Sequence, residues 1–211
     1  MGPCTAITVK AKDKVMNFEP GQFAFIGFEK KGFREKHPFT IASTKGKTIR
    51  FVIKNLGDFT SKLSELTVGT ITEIEGPYGM STLSELTSES QIWVAGGIGV
   101  TPFLAYAQEL KRNPTTQKIT MYYSVKEDSE LVLKEEFEQL AQVMDSFTFV
   151  PFVSNKQGRL TLDIIEKNVP ILTSTQLAVC GPLPLMQAIK EQALGKGMSI
   201  NNIKMEEFAL K

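Results

Sequence analysis

Val94-Ala95-Gly96-Gly97-Ile98-Gly99-Val100-Thr101-Pro102-Phe103 divides the 211-residue chain into two halves of different character. Before it, short segments rich in β-branched and aromatic residues follow one another with turn residues between them. After it, apolar runs suited to buried strands alternate with stretches of helical spacing. Residues 91–95, Gln-Ile-Trp-Val-Ala, suit a strand buried on both faces, and Pro102 opens a helical pattern, so the order is strand, glycine turn, helix. Gly96, Gly97 and Gly99 permit positive φ and leave no side chain between backbone N–H groups and a ligand. The N–H groups at the start of the next helix, with the positive end of its dipole, suit a phosphate anion. Proline stands at 102 where the third glycine of the usual dinucleotide fingerprint would fall. Taken alone, the turn is also compatible with a strand-to-helix connection that binds nothing.

Composition narrows the class. Hydrophobic content of 42% and charged content of 22% describe a soluble globular protein. The length accommodates one large domain or two small ones. A formal charge of +1 provides neither a basic nucleic-acid surface nor an acidic tail. There is no run of 18 apolar residues and no basic leader followed by an apolar core, so neither a membrane span nor a signal peptide is expected and the chain itself belongs in solution. Two cysteines, Cys4 and Cys180, suit a reducing compartment. With one histidine and two distant cysteines, no metal site is expected. The lack of a Gly-x-Ser-x-Gly elbow and of a Walker lysine argues against hydrolysis and phosphoryl transfer. Met1-Gly2-Pro3 reads as an added leader, which would place the native start elsewhere.

In the first half, residues 5–11, 22–28, 39–43, 48–54 and 70–76 read as short strands of a small antiparallel barrel, with one helix at 59–66. His37-Pro38-Phe39-Thr40 places the only histidine, a ring and a hydroxyl at the start of a strand. Lys54, Gly57, Thr60 and Ser61 then make a second anion site: a basic residue, a glycine turn, and hydroxyls that can cap a helix and donate to phosphate. Two such sites, one in each half, point to two phosphate-bearing cofactors. Gly76-Pro77-Tyr78-Gly79 marks the junction.

In the second half, helices at 101–112, 131–144, 161–167 and 182–194 alternate with strands at 118–124, 147–153, 176–180 and 200–208. This alternation predicts an α/β doubly wound parallel sheet. Ligands bind beyond the carboxyl ends of such strands, where Gly96–Thr101, Ser124–Lys126, Val153–Arg159 and Cys180–Pro182 fall. The expected domains are 1–88 and 89–211.

Together, His37-Pro38-Phe39-Thr40, Gly57-Asp58-Phe59-Thr60, Gly76-Pro77-Tyr78-Gly79, the Gly96–Pro102 turn, Cys180-Gly181-Pro182 and a phenylalanine near the C-terminus resemble the ferredoxin-NADP reductase superfamily over nearly the whole chain. Histidine-proline-phenylalanine-threonine, and the ending Met205-Glu206-Glu207-Phe208, are similar to its NADPH oxidase and ferric reductase branch, most nearly to the dehydrogenase domains of bacterial members. The resemblance implies an FAD-binding antiparallel barrel followed by an NAD(P)H-binding α/β domain. It implies that His37, Pro38 and Thr40 hold the flavin's ribityl–phosphate region and N5 edge, with Phe39 against the ring, and that Lys54, Gly57, Thr60 and Ser61 surround the pyrophosphate. Gly96, Gly97, Gly99 and Thr101 would take the nicotinamide cofactor's pyrophosphate and ribose. Cys180, flanked by Gly181 and Pro182, would stand near nicotinamide C4, and Phe208 would cover the flavin face. Lys54 replaces a usual arginine, and Ser124-Val125-Lys126 replaces a serine-arginine pair often used for the 2′-phosphate, leaving Lys126 and Arg159 to pair with it.

The function so implied is hydride transfer from NADPH, with NADH as a second donor, to FAD, catalysed with Thr40, Cys180 and Phe208 in place, and then release of single electrons. The branch implies haems of an attached membrane domain in the same full-length protein, at the cytoplasmic face of the membrane, with oxygen (giving superoxide) or ferric iron as final acceptor. It implies a monomer for this chain and no nucleic-acid partner. The alternatives are a free-standing soluble reductase for a protein or ferric chelate, and a non-catalytic FAD-binding regulatory subunit.

Overall fold

The computed structural model describes residues 4–12, 15–80, 82–170 and 174–206. Its first half holds β1 (Cys4–Lys10), β2 (Phe23–Phe28), β3 (His37–Thr40), β4 (Thr48–Lys54) and β5 (Thr72–Tyr78). All pairing is antiparallel: β1 with β4, and β2 between β3 and β5. The expected barrel takes the form of these two sheets around one apolar core that includes Phe18, Ile26, Ile41, Phe51 and Ile53. The alternation of β1 shows why: Ile7 and Val9 pack on that core while Ala6 and Thr8 face out. The sheets meet where the Ala42 N–H donates to the Arg50 carbonyl at 2.8 Å. On the other side, β1 and β5 flank an open cleft of about 820 Å³ lined by Ile7, Val9, Leu66, Ile71 and Ile74.

The helix expected at 59–66 is not continuous. A single turn, α1 (Asp58–Ser61), is followed by a 3-10 turn at Leu63–Glu65, and Leu63 is the only buried residue of the two. With one core anchor there is no apolar stripe to offset the cost of nucleating a longer helix. The strand expected at 39–43 pairs instead at His37–Thr40.

The second half runs β6 (Ser90–Gly96), α2 (Thr101–Arg112), β7 (Lys118–Val125), α3 (Lys134–Val143), β8 (Phe147–Val153), α4 (Ser154–Gln157), α5 (Leu162–Glu166), β9 (Gln176–Cys180), α6 (Leu183–Gly195) and β10 (Ile203–Glu206). These strands form one parallel sheet in the order β10-β9-β6-β7-β8. Trp93 and Ala95 of β6 pack with Phe103 and Leu104 of α2 and Phe137 of α3. Ile92 and Val94 pack on the opposite face with Leu162 of α5 and Ile189 of α6. The sheet is therefore wound on both faces, as the unbroken apolar run of β6 requires.

Two boundaries shift from expectation and one element is added. Helix α3 begins at Lys134 rather than 131, because Leu133 takes a left-handed φ of 67° that no helix continues through. A turn of helix, α4, occupies what the sequence suggested was loop. The last strand starts at Ile203 after a 3-10 turn at Ile200–Asn202, and its expected extension to Phe208 lies outside the described residues. No helix among the described residues is long and apolar enough to cross a membrane.

Candidate functional site

Strands β6 and β9 are neighbours in the sheet but distant in sequence. Their chains leave toward α2 on one face and α6 on the other, opening the crevice in which doubly wound sheets bind ligands. Two loops meet there, Gly96–Gly99 and Cys180–Pro182. A β-carbon on Gly99 would lie 2.5 Å from the Cys180 carbonyl oxygen, and one on Gly181 2.8 Å from Gly96 Cα. On Gly96 it would lie 2.6 Å from Leu185 Cδ2. Gly96 and Gly99 therefore serve the approach of one loop to the other, not the clearing of ligand space that the sequence suggested. Gly97 differs: its φ is 52° and its missing side chain would meet nothing within 4 Å. The 3-10 turn Gly97–Val100 runs directly into α2, so the orphan N–H groups of the helix start fall on the glycine turn instead of at Pro102. Thr101 is buried, and both its N–H and its hydroxyl, the latter at 3.1 Å, donate to the Ile98 carbonyl. Its side chain braces the turn.

Cys180 ends β9, fully buried, and its thiol is held well above the ordinary range by burial and then by the nearby Glu206 carboxylate. Glu206 sits opposite Cys180 in the β9–β10 register. Burial raises its carboxyl to about 7, and its Oε2 is buried with no hydrogen-bond partner among the described residues. Reading the sequence missed Glu206 as a site residue. The signal available was its place two residues before Phe208, but only strand pairing brings it to Cys180. Phe208 itself lies outside the described residues.

Ser124 stands near the carboxyl end of β7, Lys126 follows that strand and accepts the Asn155 N–H of α4 at its carbonyl at 3.2 Å, and Arg159 lies two residues after α4. Lys156 pairs with Asp128 at 2.6 Å and holds that carboxyl below its usual range by a direct hydrogen bond, outweighing slight burial. Asp128 is thus already engaged, while Glu127, Lys126 and Arg159 remain exposed.

In the barrel, strand pairing divides the motif at 37–40. His37 and Phe39 lie opposite Ile26 and Ala24, both core residues, so they face inward. The His37 ring stacks on Phe59 at 4.0 Å, and Phe39 packs against the barrel core. Pro38 and Thr40 lie opposite Phe25 and Phe23 on the other face, where Thr40 is buried at 7% exposure. There Phe23, Phe25 and Tyr78 form a ring trio with centroids 5.7 to 5.9 Å apart, a platform not anticipated from the sequence. Its signal was the alternation of Phe23 and Phe25. Helix α1 abuts the end of β4, bringing Lys54 near the Gly57 turn. The Thr60 hydroxyl oxygen accepts the N–H groups of Leu56 at 2.8 Å and Gly57 at 3.1 Å, and Ser61 Oγ donates to the Asp58 carbonyl at 3.4 Å. These hydroxyls shape the turn, and a one-turn helix has little dipole to offer an anion.

These residues fit a flavin nucleotide. The His37 Nε2 is buried without a hydrogen-bond partner among the described residues, 3.7 Å from the Glu35 carboxylate and beyond hydrogen-bond length. Strand β3 is the edge of its sheet, so its outer row of backbone groups can meet a heterocycle. The two halves of the chain adjoin: Ala42 and Val52 of the barrel share one apolar cluster with Val100 and Cys180.

Comparison with known proteins agrees with this geometry. Residues 3–82 match an FAD-binding domain family and residues 93–191 an oxidoreductase NAD-binding domain family. Among curated relatives, NADH-cytochrome b5 reductase 2 of Mycosarcoma maydis is 29% identical over 210 residues, covering 93% of this chain and 57% of that protein. A probable dihydroorotate dehydrogenase B electron transfer subunit of Methanocaldococcus jannaschii is 30% identical over 206 residues, covering 93% and 70%. Most of these curated relatives are about twice as long as the part matched: the chain spans 57%, 55% and 53% of three of them. In fold, the chain superposes on a ferredoxin NADP+ reductase of Neisseria gonorrhoeae with bound FAD and NADP at a TM-score of 0.84 and 18% identity, covering 97% and 92%. The two matched domains, in this order and on this fold, show that the chain belongs to the ferredoxin-NADP reductase superfamily, as an FAD- and nicotinamide-binding electron-transfer module.

Proposed function

We propose that the chain, divided near residue 88, is the dehydrogenase part of an NADPH oxidase or ferric reductase, with haems of a membrane domain as its immediate acceptors and oxygen or ferric iron beyond them. The observation that supports the reading is the one apolar cluster that Ala42 and Val52 of the first half share with Val100 and Cys180 of the second. The motif His37-Pro38-Phe39-Thr40 and the ending Met205-Glu206-Glu207-Phe208 support the branch.

Bound FAD would supply acceptance of hydride from NADPH or NADH and delivery of electrons one at a time. The chain would supply placement. In this reading His37 Nε2, unpartnered among the described residues, and Lys54 hold the flavin nucleotide's phosphates beside the Gly57–Ser61 turn, while Thr40 offers a hydroxyl at the reacting edge. Gly97 opens the nicotinamide pyrophosphate site beside Gly96, Gly99 and Thr101, and Gly181 and Pro182 set the wall from which Cys180 faces the nicotinamide. Lys126 and Arg159, beside Ser124, favour NADPH. Phe208 covers the flavin until nicotinamide displaces it. Glu206, near neutrality and beside Cys180, holds a proton within reach of the same place.

The test is the absorption spectrum of FAD-loaded protein before and after NADPH, then NADH, without oxygen. Bleaching by either donor supports a dehydrogenase; an unbleached flavin leaves a regulatory subunit. A second reading, a reductase feeding a separate protein acceptor, is favoured by relatives named cytochrome b5 reductase and monooxygenase reductase component. Rapid turnover with a soluble haem protein, and none with ferric chelate or oxygen, would select it.

A further inference from the structure

The two halves are joined by the apolar cluster and, at its rim, by polar contacts to which the proposed chemistry gives no role. Arg50, within β4, reaches Glu136 in the first turn of α3 with both ends of its guanidinium: Nη1 donates to Oε2 at 2.7 Å and Nη2 to Oε1 at 2.9 Å. The side chains are 21% and 32% exposed. Nearby, Arg112 at the end of α2 donates from Nη1 to Thr44 Oγ1 at 2.7 Å and to the Lys45 carbonyl at 2.8 Å. Both arginines thus tie the segment from the β3–β4 connection into β4 to the helices of the other half. Arg50 also anchors that connection through its backbone: its N–H donates to Ser43 Oγ at 3.1 Å, and its carbonyl accepts the Ala42 N–H at 2.8 Å. Thr40 lies two residues before Ala42.

Apolar contact is non-directional, so the cluster holds the halves together without setting their rotation. A fork-to-fork arginine–carboxylate pair fixes angle as well as distance. At this exposure such a pair contributes little to stability. Its geometric consequence is larger, because misplacement of reacting groups by about 1 Å can cost about 100-fold in rate. We propose that Arg50 and Glu136 are positioning residues for hydride transfer, a fork that sets the rotation of the barrel against the parallel sheet and so the separation of Thr40 from Cys180. The proposal rests on the reading that hydride crosses this interface.

The test compares Arg50→Met, Glu136→Gln and the exchanged pair Arg50→Glu with Glu136→Arg. Anaerobic flavin reduction should fall about tenfold in Arg50→Met, with FAD content and nicotinamide dissociation constant within about twofold of parental, and most of the rate should return in the exchanged pair. Glu136→Gln, which keeps the shape and loses the charge, should fall between and serves if Arg50→Met does not fold. In protein without FAD, spin labels at Val68→Cys and Val143→Cys, both exposed and on opposite halves, should report one narrow distance that broadens when the fork is broken. A parental rate with an unbroadened distance overturns the proposal. So does nicotinamide affinity that falls in step with rate, or an exchanged pair that recovers nothing. If the parental flavin accepts electrons from neither donor, the functional reading fails by itself, and the label distance alone decides for or against the fork.

Discussion

At Gly99 a β-carbon would come within 2.5 Å of a backbone carbonyl oxygen, whereas at Gly57 it would meet nothing within 4 Å. The same residue type marks both candidate phosphate turns, for different reasons. The crevice between β6 and β9 needs glycine because two loops are pressed together, and the Gly57 backbone, with φ −160°, is extended and admits any residue. The first turn is defined by packing, the second by the hydrogen bonds that the Thr60 hydroxyl oxygen accepts. Their sensitivities to substitution should therefore be opposite.

The largest effect should come from Gly99→Ala. The clash is with backbone, so the two loops must part, at a cost of about 3 kcal/mol. Thermal unfolding should shift accordingly and nicotinamide binding should be lost, with FAD binding retained. A variant of parental stability would remove the loop-to-loop account and return Gly99 to the ligand.

Glu206 lies on the same crowded side, and its effect depends on pH. A carboxyl raised from 4.5 to about 7 by burial binds its proton more tightly in the folded state. Its contribution is fully present below about pH 4.5 and is lost as pH rises through about 7. The full shift corresponds to about 3 kcal/mol, which partial exposure reduces to about 2. Between pH 5 and 8 the parent should lose this stability relative to Glu206→Gln, as measured by denaturant midpoints at each pH. Parallel curves would show that the carboxyl titrates normally.

Gly97→Ala sharpens the contrast within a single turn. Its left-handed φ should cost about 1 kcal/mol, and with open space above it nothing further. A loss of dinucleotide affinity beyond that cost, read by titration of the folded variant, would locate the ligand over this residue. Gly57→Ala should be smallest, within about 0.5 kcal/mol in stability, with weaker FAD retention as its only consequence. A large destabilisation would mean that both turns are packed alike.

The change from β segments to alternating β and α, and the strand-glycine-helix order at its centre, were legible because periodicity and glycine turns are local signals. So were the two cofactor classes, through six motifs in order. The long helix expected at 59–66 was not, because only Leu63 found a core position there, and whether a stretch is buried depends on what lies across from it. The division of His37 and Phe39 from Pro38 and Thr40 follows the period of two along a strand, but which pair faces the core was decided by pairing with Ile26 and Ala24. The meeting of Cys180 with Glu206, the roles of Gly96 and Gly99, and the Arg50–Glu136 fork join residues distant in the chain. Sequence alone determined which residues can bind phosphate, donate a hydroxyl or form a strand, since these are properties of single side chains and short spacings. Tertiary structure decided which of them face one another, because that is set by sheet order, register and the close packing of two loops.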